Sequence, residues 1–243
     1  DQIERSLEWI GIDWDGPVLR QSERFERYRA ALVTLRDGTP ARYTLNDSLV
    51  AVDESLLQIV GRTSMSAGDP GQLRLELNHT TTVLGGSLIV SRLDDSLGDP
   101  QLPVFVAAHN NLFSVGREQS LIDLAGSDAM EVRETFGWSG ERNLYHEIKS
   151  FWTIRSRQNV TPVTFDFIAW KEFWGSDVSI AANTTIRWLG DLRSIAAQDV
   201  TLEDVSLVTS GGVNPAIRAA ADGTDLGAPL DKLPKPPQVE LPK

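Results

Sequence analysis

"LELNHTTTVLGGSLIV", residues 75–90, decides how this chain is read. Leu75 and Leu77 alternate with Glu76 and Asn78, the two-residue period of a strand with one buried face. Gly85-Gly86 then punctuates the run ahead of a second apolar segment, Leu88 to Val90. Sliding the stretch so that Leu75 falls on Val104 also places Leu77 on Val106, His79 on Ala108, Thr82 on Asn111 and Leu84 on Phe113. After a short insertion, Leu88 then meets Leu121. Each unit would be strand, turn, strand, which is what one coil of a parallel stack supplies. Identity between the units is low, so periodicity alone leaves an ordinary sandwich or meander open. The apolar character of the strands at both ends favours stacking.

The flanking sequence extends the pattern. "ARYTLND", "SLVAVDE", "LLQIVGR", "LRLELNH", "SLIVSRL" and "PVFVAAHNNLF" are short alternating or apolar segments between Gly, Pro, Asp and Asn, and no helical pattern alternates with them. Ahead of them, residues 1–38 read as helical: Ile3, Leu7 and Ile10 share a face, "GIDWDGP" breaks the pattern, and a second helix opens at Ser22 with Phe25, Tyr28, Leu32 and Leu35 as its buried stripe. Residues 129–190 are irregular and aromatic, with a short helix expected over Phe167 to Trp174 under an Asp166 cap. A last strand pair is expected in "DVTLEDVSLV", and "PLDKLPKPPQVELPK" has the Pro spacing of an extended tail.

The chain has 243 residues, 41% of them hydrophobic, and a formal charge of -11, which gives no general attraction to nucleic acid or anionic lipid. Tight tRNA binding would need a basic patch, and none of useful length is visible. The absence of cysteine excludes disulfides, thiolate metal sites and cysteine nucleophiles. No apolar run approaches the ~20 residues that span a bilayer. The first residues lack the basic start and apolar centre of a signal peptide, and a chain beginning at Asp1 is expected to be a processed or excised segment.

Residues 7–32, "LEWIGIDWDGPVLRQSERFERYRAAL", resemble the catalytic-domain insert of glutamyl-tRNA synthetases and glutamyl-queuosine tRNA(Asp) synthetases. The resemblance rests on Trp9, Gly11, Asp13, Trp14, Asp15, Gly16, Pro17, Gln21, Ser22, Glu23, Arg24 and Tyr28 and covers about 35 residues. It would imply ATP and a bound amino acid, but neither a HIGH-type nor a KMSKS-type motif is present. Aminoacylation draws its rate from positioning those groups, so the activity is expected to be absent.

Residues 39–234 resemble the pectate-lyase-like right-handed β-helix segments of large planctomycete proteins, some of which carry Ser/Thr kinase domains. The resemblance rests on residues 75–90, "PVFVAAHNNLFSVGREQSLIDLAG", "FGWSGERNLYHEIKSFW", "WKEFWG" and "NPAIRAAADGTDLGAPLDKLP". Asn111 stands where relatives often place Cys. This resemblance implies a scaffold.

Candidate chemistry is sparse. Asp13 and Asp15 lie in a Gly-Pro turn and read as turn chemistry. Asp94, Asp95 and Asp99 share one loop and would be the acids of a polysaccharide-cleaving site; a solvated loop is the plainer reading. His79, His109 and His146 are the only imidazoles, and His79 and His109 fall close in the repeat. Ser87, Ser120 and Ser139 make no nucleophile elbow. Trp138, Trp152, Trp170, Trp174 and Trp188 suit either a core or a sugar ring. Asn78, Asn110, Asn111, Asn143, Asn159 and Asn183 suggest side chains that satisfy turns rather than ligands.

The expectation is therefore a mainly β protein: a right-handed parallel β-helix over 39–228, a synthetase-like helical hairpin over 1–38 and a Pro-rich tail over 229–243. Its expected role is a non-catalytic scaffold or interaction domain of a larger envelope protein outside the cytoplasm. A protein or polysaccharide partner is expected, with no catalytic residue, cofactor, metal, nucleic acid or membrane segment. The alternatives are a polysaccharide-binding or polysaccharide-cleaving β-helix and a glutamyl-tRNA synthetase-like paralogue.

Overall fold

The computed structural model describes residues 33–35, 41–60, 72–92, 103–126, 132, 134–156, 161–175 and 178–233. Its strands, in chain order, are β1 (Val33–Leu35), β2 (Ala41–Asn46), β3 (Leu49–Val52), β4 (Leu57–Val60), β5 (Leu73–Asn78), β6 (Thr81–Leu84), β7 (Ile89–Arg92) and β8 (Val104–His109). They continue with β9 (Leu112–Ser114), β10 (Ser120–Ala125), β11 (Phe136–Glu141), β12 (Leu144–His146), β13 (Ser150–Arg155), β14 (Val163–Phe165), β15 (Val178–Ser179) and β16 (Ala182–Thr184). A helix, α1 (Phe167–Trp174), falls between β14 and β15.

The strands satisfy their backbone groups mainly with the strand three places on; β11 and β12 reach β15 and β16, four places on, and β13 takes its immediate neighbour β14. Three sheets result: β1-β4-β7-β10-β13-β14, β15-β11-β8-β5-β2 and β16-β12-β9-β6-β3. All pairings are parallel except β13 with β14. In-register rows then line up apolar side chains: Tyr43, Leu75, Val106 and Trp138 in the second sheet, and Leu57, Ile89, Ile122 and Trp152 in the first. Leu77, Ile89 and Ile122 are fully buried. Each such side chain contributes about 1.5–3 kcal/mol, enough to hold the fold without disulfides.

The corner between the second and third sheets is made by residues in the left-handed region: Asp47, His79, Asn110, Arg142 and Ile180, with φ of 48°, 46°, 58°, 56° and 52°. Just past it, Thr80, Asn111 and Asn143 stack in the interior. Asn111 Oδ1 accepts from Thr80 N at 2.8 Å, while its Nδ2 donates to Leu77 O at 3.0 Å and to Asn143 Oδ1 at 2.9 Å. Asn143 Nδ2 donates to Ala108 O at 2.7 Å. A side-chain amide offers both a donor and an acceptor, so each Asn joins the backbone N–H or side chain of one corner to a carbonyl at a strand end. Close by, Gly140 has φ 144°, and a side chain there would overlap Ala108 O.

Helix α1 begins as expected: Asp166 accepts from Ala169 N at 2.9 Å, and Gly175 closes the other end with φ 58°. Its Trp170 is fully buried, with ring centroids 5.2 Å from Trp138, 5.5 Å from Trp152 and 5.9 Å from Phe151. The segment after β16 covers the outside of the third sheet, setting Ile186, Ala216, Ala220 and Leu226 on Leu112 and Leu144, and Leu192 and Val205 on Val83. All four residues of β6 are consequently buried.

The mainly β expectation holds, but the single right-handed β-helix over 39–228 is corrected. The strands form three distinct parallel-rich sheets with a helix packed against them. The sharp left-handed corners divide each unit between sheets, β14 turns back antiparallel, and α1 interrupts the order. From Thr185 to Leu233 the chain adds turns, a short 3-10 helix (Ala197–Asp199) and an isolated bridge, Trp188 to Leu207, in place of the strand pair expected in "DVTLEDVSLV". Val33, Thr34 and Leu35 are strand, paired with Leu57, Gln58 and Ile59, where the tail of a helix was expected. The remainder of the expected hairpin, residues 1–32 and 36–38, lies outside the described residues, as do residues 234–243 of the tail.

The repeat is real but shifted. Leu75 sits opposite Val106 and Thr82 opposite Phe113, two residues beyond the positions the sequence suggests. A slip of two preserves the buried face, which is why the apolar matches looked right. Ile89 opposite Ile122 puts Leu88 beside Leu121 as expected.

Candidate functional site

Where β12 ends, the covering segment leaves a cavity of about 340 Å³, lined by His146, Thr185, Ile186, Arg187, Trp188, Gly190, Asp191, Leu192, Arg193 and Val208. His146 is the last residue of β12, and Glu147 after it turns the chain with φ 49°. The opposite wall is a pairing of the covering segment with itself: Leu189 N donates to Ser206 O, Gly190 N to Asp204 O and Val208 N to Arg187 O, each at 2.9 Å. Gly190 permits it, because a Cβ there would lie 2.6 Å from the Asp204 side chain.

His146 is 8% exposed, and its Nδ1 accepts from Ile186 N at 3.0 Å. That bond fixes the neutral tautomer with the proton on Nε2. Burial, and then the Arg193 guanidinium, hold the imidazole pKa below its ordinary value. Arg193 donates Nη1 to Glu147 Oε2 at 2.7 Å and Nη2 to His146 O at 3.1 Å. Glu147 Oε1 accepts from Thr185 Oγ1 at 2.5 Å, and this bond with the Arg193 pair draws the carboxyl below the usual range. Asp191 is likewise lowered, by Ser194 Oγ at 2.6 Å and the Arg193 backbone N–H. The Trp188 ring stands edge-on to the imidazole, centroids 6.4 Å apart.

Chemically, the cleft can donate hydrogen bonds. Its acids, Glu147 and Asp191, are engaged by Thr185, Arg193 and Ser194, and the imidazole cannot take up a proton on Nδ1 without surrendering the Ile186 bond. Among the described residues, no group of three His, Cys, Asp or Glu could hold a metal ion. No helix among them is long and apolar enough to cross a membrane.

The other candidates disperse. Asp13, Asp15, Asp94, Asp95, Asp99 and Asn159 lie outside the described residues. His79 and His109 do not form a site: His109 sits opposite Asn78 on an exposed sheet face, while His79 Nε2 is 3.6 Å from Asp222 Oδ2 at the corner. Ser87 is buried, with its N–H on Ser55 Oγ at 2.9 Å. Ser120 Oγ bonds Ser150 and Thr153, and Ser139 faces solvent on β11. Trp138, Trp152 and Trp170 are core, Trp174 packs partly buried beside them, and Trp188 alone of the five lines the cleft. Asn111, Asn143 and Asn183 satisfy backbone, as expected; Asn183 bonds both N and O of Ile148, at 2.9 and 2.7 Å. Asn110 Oδ1 accepts from Ala221 N at 2.9 Å, and Asn78 is its weak partner at 3.5 Å. Sequence reasoning missed Glu147, Thr185, Arg187, Asp191 and Arg193. The polar residues crowded around Trp188 in "TTIRWLGDLRS" were the available signal.

No family model matches the chain, and no solved structure matches it. Short stretches are similar to glutamyl-Q tRNA(Asp) synthetases. Identity is 59% over 34 residues to the Rhodobacter capsulatus protein, covering 14% of this chain and 12% of that one. It is 46% over 55 residues to the Deinococcus radiodurans protein, covering 23% and 18%. A glutamate-tRNA ligase of Xylella fastidiosa is 28% identical over 106 residues, covering 38% of this chain and 23% of the ligase. The chain thus spans less than a quarter of the length of these relatives. The matches support the synthetase resemblance of the first segment, and the comparisons do not bear out the pectate-lyase-like one.

Proposed function

We propose that this chain joins a glutamyl-Q tRNA(Asp) synthetase-like segment to a domain of stacked sheets that works by recognition, with the His146 cleft as its binding site. The observation that carries this reading is the occupied Nδ1 of His146: an imidazole locked as an Nε2–H donor is suited to holding a ligand and unsuited to passing protons. The cleft volume falls in the range of small-molecule sites, and its walls come from a sheet end and a braced segment rather than from a free loop. Screening by calorimetry with small polar ligands tests this. Binding that His146→Asn weakens is expected, and turnover of any bound compound would refute the non-catalytic reading.

A second reading, a glutamyl-tRNA synthetase-like paralogue, draws on the similarity of stretches of this chain to those enzymes. It requires ATP and glutamate to bind. Glutamate-dependent exchange of pyrophosphate into ATP would establish it, and no exchange above background would end it.

A further inference from the structure

We infer that the end of the stack formed by β2 and β3 is a docking face, and that its occupant is the segment of this chain just before Val33, residues 22–32, laid across it as an amphipathic cap. The three sheets do not stop together at this end. Among the described residues, β2 and β3 are the last strands of their sheets, whereas the first sheet runs one strand further, to β1. Sheet edges left this way invite pairing with other chains unless a helix or loop covers them. The interior side chains of this unit are also less covered than their neighbours one unit in. Tyr43, Leu45, Val50, Val52 and Leu56 are half-buried. The residues beside them, Leu75, Leu77, Thr82, Leu84 and Leu88, are buried.

What covers this face follows from where the chain enters. Val33 pairs with Leu57 in parallel register, so the residue before it falls beside Leu56, at the head of the column Leu56, Leu88 and Leu121. That residue is Leu32, and the chain leading to it starts over the open end. Residues 22–32 do not spell another unit of the stack. Third-sheet strands begin at 49, 81 and 112, and the first-sheet strands that follow them begin at 57, 89 and 120, a constant step of eight. Counting back from Val33 would start a strand at 25 and put Glu26 in the interior row of Val50, Thr82, Phe113 and Tyr145, an unpaired charge in a core. At helical spacing the same residues sort cleanly: Phe25, Tyr28 and Leu32 share one face, and Glu23, Glu26 and Arg27 turn away from it. Such a helix would be about 16 Å long, more than the gap of about 10 Å between packed sheets. Its covalent tether at Val33 gives it a high effective concentration at this face, which favours it over a second copy. On this reading the synthetase-like segment closes the stack, and the His146 cleft plays no part in it.

The test uses the full chain. Nuclear Overhauser contacts from the Tyr28 ring to methyl groups of Leu45, Val52 or Leu56 are expected, and they need no substitution. Tyr28→Asp should speed amide exchange in β2 and β3 by about tenfold or more and raise self-association in light scattering, with exchange in β10 and β13 unchanged. Arg27→Asp, on the opposite face, should alter neither. Absence of the Tyr28 contacts in the wild-type chain would overturn the cap, as would exchange in β2 and β3 that Tyr28→Asp leaves unchanged. Should Tyr28→Asp unfold the domain, the wild-type contacts decide alone. A wild-type dimer, with β2 protected only at concentrations where it forms, would overturn the cap in favour of a second copy on this face.

Discussion

Replacing Asn111 by Ala should be among the most damaging single changes in the protein. The side chain is fully buried and serves three groups: Thr80 N–H, Leu77 C=O and the Asn143 amide oxygen. Asn143 Oδ1 keeps the Asn111 backbone N–H at 3.2 Å, so it is not stripped. Thr80 N–H loses this partner beyond the reach of water, and Leu77 C=O, which lies in the β5 ladder, loses one donor. At about 1–3 kcal/mol for the orphaned N–H and about 0.5–1.5 kcal/mol for the lost bond to the carbonyl, the loss comes to about 1.5–4.5 kcal/mol. A domain is typically stable by about 5–15 kcal/mol, so a large fraction of the total is at stake. Equilibrium urea unfolding followed by tryptophan fluorescence measures it. A cycle with Asn143→Ala should show coupling of about 1 kcal/mol or more, because the two amides bond directly. A loss under about 1 kcal/mol for Asn111→Ala, or additive effects in the cycle, would refute the claim that this ladder secures the corner.

Four further outcomes are expected. Ser91→Ala should stabilise by about 1 kcal/mol, because the Ser91 hydroxyl lies buried without a partner between Ile59 and Leu124; a lower urea midpoint would contradict this. Ile180→Asn should also stabilise by about 1 kcal/mol, since Ile180 is 60% exposed yet held at φ 52°, where a β-branched residue is strained and Asn is tolerated. Asp166→Ala should cost about 1 kcal/mol through the lost helix cap, read from the thermal midpoint. As pH falls below about 6.5, the unfolded chain takes up a proton that the folded His146 resists, so stability present above that pH should decline on acidification; comparing urea midpoints with His146→Asn, which should flatten that part of the slope, isolates the effect.

Much of the architecture was written in the alternation of residues 75–90, because a two-residue period and Gly punctuation report local backbone geometry directly. Helix α1 was legible down to its Asp166 cap for the same reason. Register was not, since a two-residue slip costs the apolar pattern nothing, and the actual separations of 31 and 32 residues appear in the Asn ladder. Nor was the division into three sheets: the corner residues Asp47, His79, Asn110, Arg142 and Ile180 share a backbone conformation but no side-chain type, and none is glycine. The cleft was hidden by distance along the chain. His146 and Arg193 meet because the covering segment folds back on the third sheet, a tertiary event to which local periodicity is blind. Asn143 shows the converse case: read with Asn111 and Asn183 as a side chain that satisfies a turn, it bonds Ala108 O in the interior.

The account turns on His146 standing in the cleft as a neutral Nε2–H donor, and long-range ¹H–¹⁵N correlation spectra of its imidazole across pH 5–8 measure that directly. A proton resident on Nε2, an unprotonated Nδ1 and a midpoint below about 6.5 are expected. A proton on Nδ1, or titration above that value, would contradict it.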